Sequence, residues 1–311
     1  MALLIDLRAP EWMDDAVLRD ILAPTLPGVV IHCGPAVRSL ADVTMLATVQ
    51  MQPGMADNLP NLQLIQKMGA GVETMLSDPN LPLGVRVARL EPDVQADEMA
   101  EFALAYVYAH LRDISRYLAD QLAGRWDGRS PVRASQTTVA VLGLGHIGRR
   151  TAEAFVRNGF QVLGWSRSLK TISGVASHAG DEGLQQVLAS ADFIVSVLPS
   201  TPETSGMLTA ARLVGCKPGA VLINMGRGDL VADIDLLDAL AAGSLGGAVL
   251  DVFNHEPLPA GHPFWTHDRI IVTPHVSGWN IDDGLRDVAE NYTRLMQGKP
   301  LLREIDRASG Y

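Results

Sequence analysis

The residues best placed to do chemistry fall into two groups. The first is the run Val139-Ala140-Val141-Leu142-Gly143-Leu144-Gly145-His146-Ile147-Gly148, an apolar stretch ending in GxGxxG. Gly is common in this chain, so the spacing alone says little. Placed between a strand and a helix, however, the three glycines have separate jobs: Gly143 permits a tight turn, Gly145 lets backbone approach a pyrophosphate, and Gly148 allows close helix–sheet packing. The helix N-terminus then offers N–H groups and a positive dipole to phosphates. The alternative is a Gly-rich turn with no ligand, and the next strand speaks against it. That strand ends Leu163-Gly164-Trp165-Ser166-Arg167-Ser168, where an NAD site would carry an acid for the ribose hydroxyls. A carboxylate there would repel a ribose 2′-phosphate, whereas Ser166, Arg167 and Ser168 would bond to it. A charge-assisted bond from Arg contributes about 1.5–3 kcal/mol, enough for a roughly ten- to hundredfold preference. The expected cofactor is NADP(H), with NAD(H) weaker; the alternative for Arg167 is a solvated loop arginine.

The second group is spread over three strand ends, the place where open parallel sheets bind ligands. Arg227 follows Leu222-Ile223-Asn224-Met225-Gly226, Glu256 lies just after Leu250-Asp251-Val252-Phe253, and His275 follows Val272-Thr273-Pro274. Taken singly they read as a loop cation, a surface acid and a satisfied histidine. At successive ends of one sheet, they read as an anion clamp beside a carboxylate-partnered acid–base imidazole.

The elements that must position these residues form two alternating series. The first has short apolar runs at 3–7, 29–33, 43–46, 62–68 and 85–90, with helical stretches at 14–22 and after Gly71. Met99, Phe102, Tyr106, His110, Ile114, Tyr117 and Leu118 recur at helical spacing, which predicts one long helix over about 97–124, followed by a loop from Trp126 to Ser135. The second series predicts strands at 138–142, 161–165, 193–198, 220–224, 248–252 and 270–273, with helices at 146–157, 233–242 and a last one at 282–297. Such alternation implies α/β architecture with parallel sheets covered on both faces.

Composition agrees. The 311 residues suit two domains, and 47% apolar with 19% charged residues is ordinary for a globular chain. A net charge of −10 gives no general attraction to nucleic acid or acidic lipid, although a local anion pocket is compatible with it. No apolar run approaches a membrane span and the N-terminus lacks the features of a signal peptide, so a cytoplasmic setting is expected. Cys33 and Cys216 are too few for a disulfide framework and lack metal-ligand spacing; both are expected to be buried reduced thiols, and no metal is expected.

Read end to end, the chain resembles the D-isomer-specific 2-hydroxyacid dehydrogenases. The likeness rests on Gly69-Ala70-Gly71-Val72, the glycine fingerprint, Leu198-Pro199 with Thr201-Pro202-Glu203-Thr204, Gly226-Arg227-Gly228, Leu250-Asp251-Val252-Phe253, Glu256-Pro257-Leu258 and Thr273-Pro274-His275. Within the family it is most similar to the glyoxylate/hydroxypyruvate reductase A group, through Trp165-Ser166-Arg167, the run 250–259 and the ending 305–311. The resemblance implies a Rossmann doubly wound domain over 99–283 and a smaller flavodoxin-like substrate domain over 1–98 and 284–311, with the active site in the cleft, a hinge and a homodimer, the last through the helix around Tyr106 to Tyr117. It implies that Arg227 pairs with the carboxylate of a small 2-oxo acid, that backbone N–H groups of Ala70, Gly71 and Val72 hold the same carboxylate, and that His275, oriented by Glu256, donates the proton as hydride leaves NADPH. The Gly69–Gly71 turn could also be purely structural. Asp251 would lie near the nicotinamide carboxamide; Leu198, Pro199, Thr204, His146, Ile147, Met225, Ser277 and Gly278 would line the cofactor. Trp279 departs from the smaller residues many members carry and would narrow or cap the substrate pocket. Formate dehydrogenases usually carry glutamine at the position of Glu256, and phosphoglycerate dehydrogenases usually favour NAD. A lactate-type dehydrogenase and a non-catalytic nucleotide-sensing protein of the same fold are the other readings.

Overall fold

The computed structural model describes residues 1–9, 12–36, 38–52, 54–76 and 81–307. The last residues of the 305–311 ending, 308–311, lie outside these. The chain divides into two compact units, one of residues 1–94 with 280–311 and the other of residues 95–279.

The first unit is built on strands β1 (Ala2–Ile5), β2 (Val30–Cys33), β3 (Val43–Thr48), β4 (Leu64–Lys67) and β5 (Arg86–Ala88), all parallel, in the order β2-β1-β3-β4-β5. This is the flavodoxin-like order. Period-two alternation sends Leu3 and Ile5 to one face and Ala2 and Leu4 to the other. On the first face they meet helix α1 (Asp15–Leu22), through Leu18 and Leu22, and the C-terminal helix Leu285–Met296, through Val288 and Tyr292. Asp14 caps α1 by accepting from the Ala16 N–H at 2.7 Å. The short helix α2 (Glu73–Leu76) follows the turn after β4. Cys33 is exposed at the end of β2, a correction to its expected burial: β2 is an edge strand, so one flank of its last residue has no covering layer.

The second unit opens with α3 (Asp93–Leu111) and α4 (Ile114–Leu122), not one continuous helix. The break is Asp113, held in the left-handed region at φ 50°, where i→i+4 hydrogen bonding cannot continue. The apolar spacing continues across it, which is why periodicity alone reads a single helix. Next come β6 (Thr138–Leu142), α5 (His146–Arg157), β7 (Gln161–Trp165), β8 (Val175–His178), α6 (Gly180–Ser190), β9 (Phe193–Ser196), α7 (Ala210–Val214), β10 (Ala220–Asn224), α8 (Asp233–Ala242), β11 (Leu245–Leu250) and β12 (Ile270–Val272). The seven strands are parallel in the order β12-β11-β10-β9-β6-β7-β8. The chain winds outward from β6 through β7 to β8, then returns beside β6 with β9 and winds the other way. This is a doubly wound Rossmann sheet whose switch point lies between β6 and β9. Ala140, Leu142, Ile194 and Leu222 fill one face, and Val139, Val141, Val195 and Ile223 the other. No helix among the described residues is long and apolar enough to cross a membrane.

Candidate active site

The glycine fingerprint sits at the β6–β9 switch point. Gly143 has φ 96° and donates its N–H to the Trp165 carbonyl at 2.8 Å, which turns the chain sharply off β6. A Cβ at Gly148 would stand 1.7 Å from the Gly143 carbonyl oxygen, so no other residue fits under α5 there. Gly145 is the opposite case. A Cβ there would meet nothing within 4 Å, and as the N-cap of α5 it brings no side-chain hydrogen bond to the first turn. Open space over an uncapped helix N-terminus, floored by glycine, is the cradle a pyrophosphate fills, so the residues present fit a dinucleotide. His146 and Ile147 form the first turn of α5, and both are half-buried.

Leu198 follows β9 and packs over Gly143, its Cδ2 lying 3.2 Å from that residue's Cβ position. Gly226, after β10, is tight against the same backbone, with a Cβ there only 2.5 Å from the Leu198 carbonyl oxygen. Met225 is buried and donates its N–H to the Ser196 carbonyl. Thr204 is occupied within its own turn: its hydroxyl donates to the Pro199 carbonyl at 2.5 Å and accepts from the Thr201 N–H at 2.8 Å. At the end of β7, Ser166 is buried and its hydroxyl donates to the Ser168 carbonyl at 2.8 Å, which commits that proton locally. Arg167 and Ser168 are exposed just beyond it. The Thr201 hydrogen bond and the Glu203 N–H, with the Arg167 charge, hold the Glu203 carboxyl below its ordinary value, so Arg167 and the turn after β9 share one electrostatic neighbourhood.

At the far side of the sheet, Arg227, Glu256 and His275 converge. Asn224, the last residue of β10, is fully buried; its amide donates to the Arg227 carbonyl at 2.8 Å and its oxygen accepts from the Gly226 N–H at 3.2 Å. This pins Arg227 in an extended conformation with Nη1 on the Gly226 carbonyl at 2.7 Å. Gly228 lies so close to the next loop that a Cβ would be 2.0 Å from the Phe253 carbonyl carbon. That contact brings the Arg227 turn against the loop bearing Glu256. The Glu256 carboxylate accepts from the Phe253 N–H at 2.9 Å through Oε1 and bonds to His275 Nδ1 at 2.8 Å through Oε2. Burial alone would raise the Glu256 carboxyl. The bonds from His275 and Phe253, with the charges of His275 and Arg227, more than offset it and hold the group below its ordinary value.

His275 has φ 55°, a left-handed conformation that costs a non-glycine residue about 1 kcal/mol. Its side chain stays about half exposed. Beneath it, Asp251 is fully buried and accepts from Thr273 Oγ1 and from the N–H groups of Val276 and Ser277. Ser277 is buried, and Gly278 packs on α3, where a Cβ would meet Gln95 and Met99 at 2.8 Å. Trp279 donates its N–H to Glu98 at 2.8 Å, with its side chain partly exposed.

In the first unit, the turn Gly69-Ala70-Gly71-Val72 closes the carboxyl end of β4. Gly69 lies at φ 143° and its carbonyl accepts from the Leu90 N–H at 3.1 Å. The N–H groups of Ala70, Gly71 and Val72 donate to no described residue.

Sequence reading missed Asn224, the Phe253 N–H and Glu98. For Asn224 a signal existed, a lone amide ending an otherwise apolar strand; for the Phe253 N–H none did, because every residue but proline carries such a donor, and for Glu98 none did, because its partner Trp279 is distant in sequence.

Residues 104–277 match the family described as D-isomer specific 2-hydroxyacid dehydrogenase, NAD binding domain. The chain is 37% identical over 263 residues to glyoxylate/hydroxypyruvate reductase A of Serratia proteamaculans, covering 83% of this chain and 84% of that one. A D-isomer specific 2-hydroxyacid dehydrogenase from Xanthobacter autotrophicus Py2, solved with NADPH and MES, superposes with a TM-score of 0.91 at 35% identity, covering 100% of this chain and 99% of that one. The NADPH-dependent glyoxylate/hydroxypyruvate reductase of Sinorhizobium meliloti, solved with NADP and sulfate, gives 0.91 at 32% identity with the same coverage. With the glycine cradle, the arginine turn and the glutamate–histidine pair on one sheet, this chain belongs to the D-isomer specific 2-hydroxyacid dehydrogenases.

Proposed function

We propose that this enzyme uses NADPH to reduce small 2-oxo acids, glyoxylate to glycolate and hydroxypyruvate to D-glycerate. The observation that carries the reading is the 2.8 Å bond between Glu256 and His275 Nδ1 beside the charge of Arg227. When bound, NADPH supplies a hydride to the carbonyl carbon. His275 gives its proton to the carbonyl oxygen and regains one from water after the turnover. Glu256, bonded through Nδ1, orients the imidazole. Arg227 pairs with the substrate carboxylate and draws electron density toward the carbonyl oxygen, a dual task that suits a planar guanidinium. Ala70, Gly71 and Val72 offer backbone N–H groups suited to a substrate anion, and residues 1–94 with 280–311 are the substrate unit and 95–279 the cofactor unit of this reading. Arg167 and Ser168 bond the 2′-phosphate and favour NADPH over NADH; the Ser166 hydroxyl, committed to Ser168, supports that turn instead.

A homodimer fits the surface of α4. Tyr106 packs into its own unit, whereas Leu118, Leu122 and Trp126 are exposed, and Trp126 entirely so. The loop bearing Trp126 is tied back to α4, with Arg125 on Asp120 at 2.7 Å and the Arg129 N–H on Tyr117 at 2.9 Å. A cytoplasmic setting suits a reductase that draws on NADPH.

The test is consumption of NADPH with glyoxylate, hydroxypyruvate, pyruvate and a panel of longer 2-oxo acids, repeated with NADH. Oxidation fastest with the two short substrates and with NADPH is expected. Absence of oxidation with every member, or a preference for NADH, overturns the proposal.

A further inference from the structure

Asp251 has no exposed surface, and both of its carboxylate oxygens are claimed by the segment that carries His275. Oδ1 accepts from Thr273 Oγ1 at 2.6 Å and from the Val276 N–H at 2.9 Å, and Oδ2 accepts from the Ser277 N–H at 2.9 Å. These donors bracket His275, two residues before it and one and two after. Between them the chain must reverse, and it does so at His275 itself, at φ 55°. A left-handed non-glycine residue persists only where its surroundings hold it, and here three hydrogen bonds to one buried anion do so. The bend aims the imidazole at Glu256, 2.8 Å away.

We propose that Asp251 is a positioning residue for proton transfer: it clamps the backbone on both sides of His275 so that the imidazole stays on Glu256. The proposal deepens the reductase reading and rests on it for its kinetic test only. It gives the carboxylate a task other than contact with the cofactor. Asparagine at this position has one acceptor oxygen for three donors, and its own NH2 would face one of them, so the clamp cannot close. Valine at position 273 removes one of the three bonds; serine there keeps it.

The test compares Asp251→Asn, Thr273→Val and Thr273→Ser with the wild-type enzyme, by kcat and KM for glyoxylate, by NADPH affinity from fluorescence titration, and by the NMR resonance of the His275 Cε1 proton in the cofactor-free protein. Asp251→Asn is expected to lower kcat roughly 100-fold and Thr273→Val roughly 10-fold, with the Kd for NADPH changed by less than about twofold. Both should shift the His275 resonance, and Thr273→Ser should recover most of what Thr273→Val loses. If Asp251→Asn does not fold, the Thr273 pair carries the comparison. An unmoved resonance overturns the proposal whether or not the wild type reduces glyoxylate. So does a loss of NADPH affinity that accounts for the loss of rate, which would assign the carboxylate to the cofactor. A wild type inactive on all 2-oxo acids, yet showing the resonance shifts, would overturn the reductase reading and leave the clamp standing.

Discussion

At the carboxyl end of β4 the chain turns through Gly69, Ala70, Gly71 and Val72 and offers backbone N–H groups. At the ends of β10, β11 and β12 it offers side chains instead, and each is held by a second residue: Arg227 by Asn224, Glu256 by the Phe253 N–H, His275 by Glu256. Both sheets are parallel and place their loops alike, so the strand order does not create the difference. Binding an anion needs only donors in the right place, and backbone supplies these at no side-chain entropy cost. Moving a proton needs a titratable group with a partner that fixes its charge and direction, and only side chains provide that.

The sharpest way to break this contrast is to remove the proposed proton donor. His275→Ala is expected to lower kcat for glyoxylate by roughly a thousandfold with little change in KM, read from steady-state rates; a near-normal kcat would leave the second sheet with no acid–base role. Arg227→Ala should come next, lowering kcat/KM about 100-fold because it loses charge-assisted bonds to substrate and transition state together. Arg167→Ala should raise the KM for NADPH roughly ten- to hundredfold and leave that for NADH almost unchanged; an unaltered ratio of the two removes the 2′-phosphate assignment. Gly71→Pro tests the first sheet. Proline there deletes one N–H donor, and KM for glyoxylate should rise roughly five- to tenfold at nearly constant kcat. If kcat falls instead, the turn does more than bind an anion.

The smallest effect concerns acid stability. Glu256 is held below its ordinary value in the folded protein, so its contribution is full above the ordinary carboxylate range and is lost as pH falls through the depressed folded value. The difference in Tm between wild type and Glu256→Gln should therefore shrink on acidification through that window. It should be modest throughout, because the carboxylate is more than a third exposed and screened by solvent. A difference that grows on acidification would mean the pair does not hold Glu256 ionised.

What could be read from residue order alone was whatever short-range chemistry dictates. The helices His146–Arg157 and Asp233–Ala242 follow from local spacing and stop signals and have those bounds in the structure. The edge strand Val175–His178 did not stand out, because it is only partly covered and carries a serine and a histidine in place of an apolar run. The division of one long helix at Asp113 was equally hidden, since a single left-handed residue leaves no mark on the pattern of apolar side chains.

Residue order by itself therefore determined the alternating α/β plan, the glycine fingerprint and the types of group at three strand ends, because periodicity and turn chemistry act over a few residues. Only the tertiary structure decided that Glu256, after β11, would meet His275, after β12, and that Asp251 at the end of β11 would accept from Thr273, Val276 and Ser277. Hydrogen bonds take the partner that folding brings within 3 Å, and when β10, β11 and β12 pack side by side, that partner can lie on the neighbouring strand.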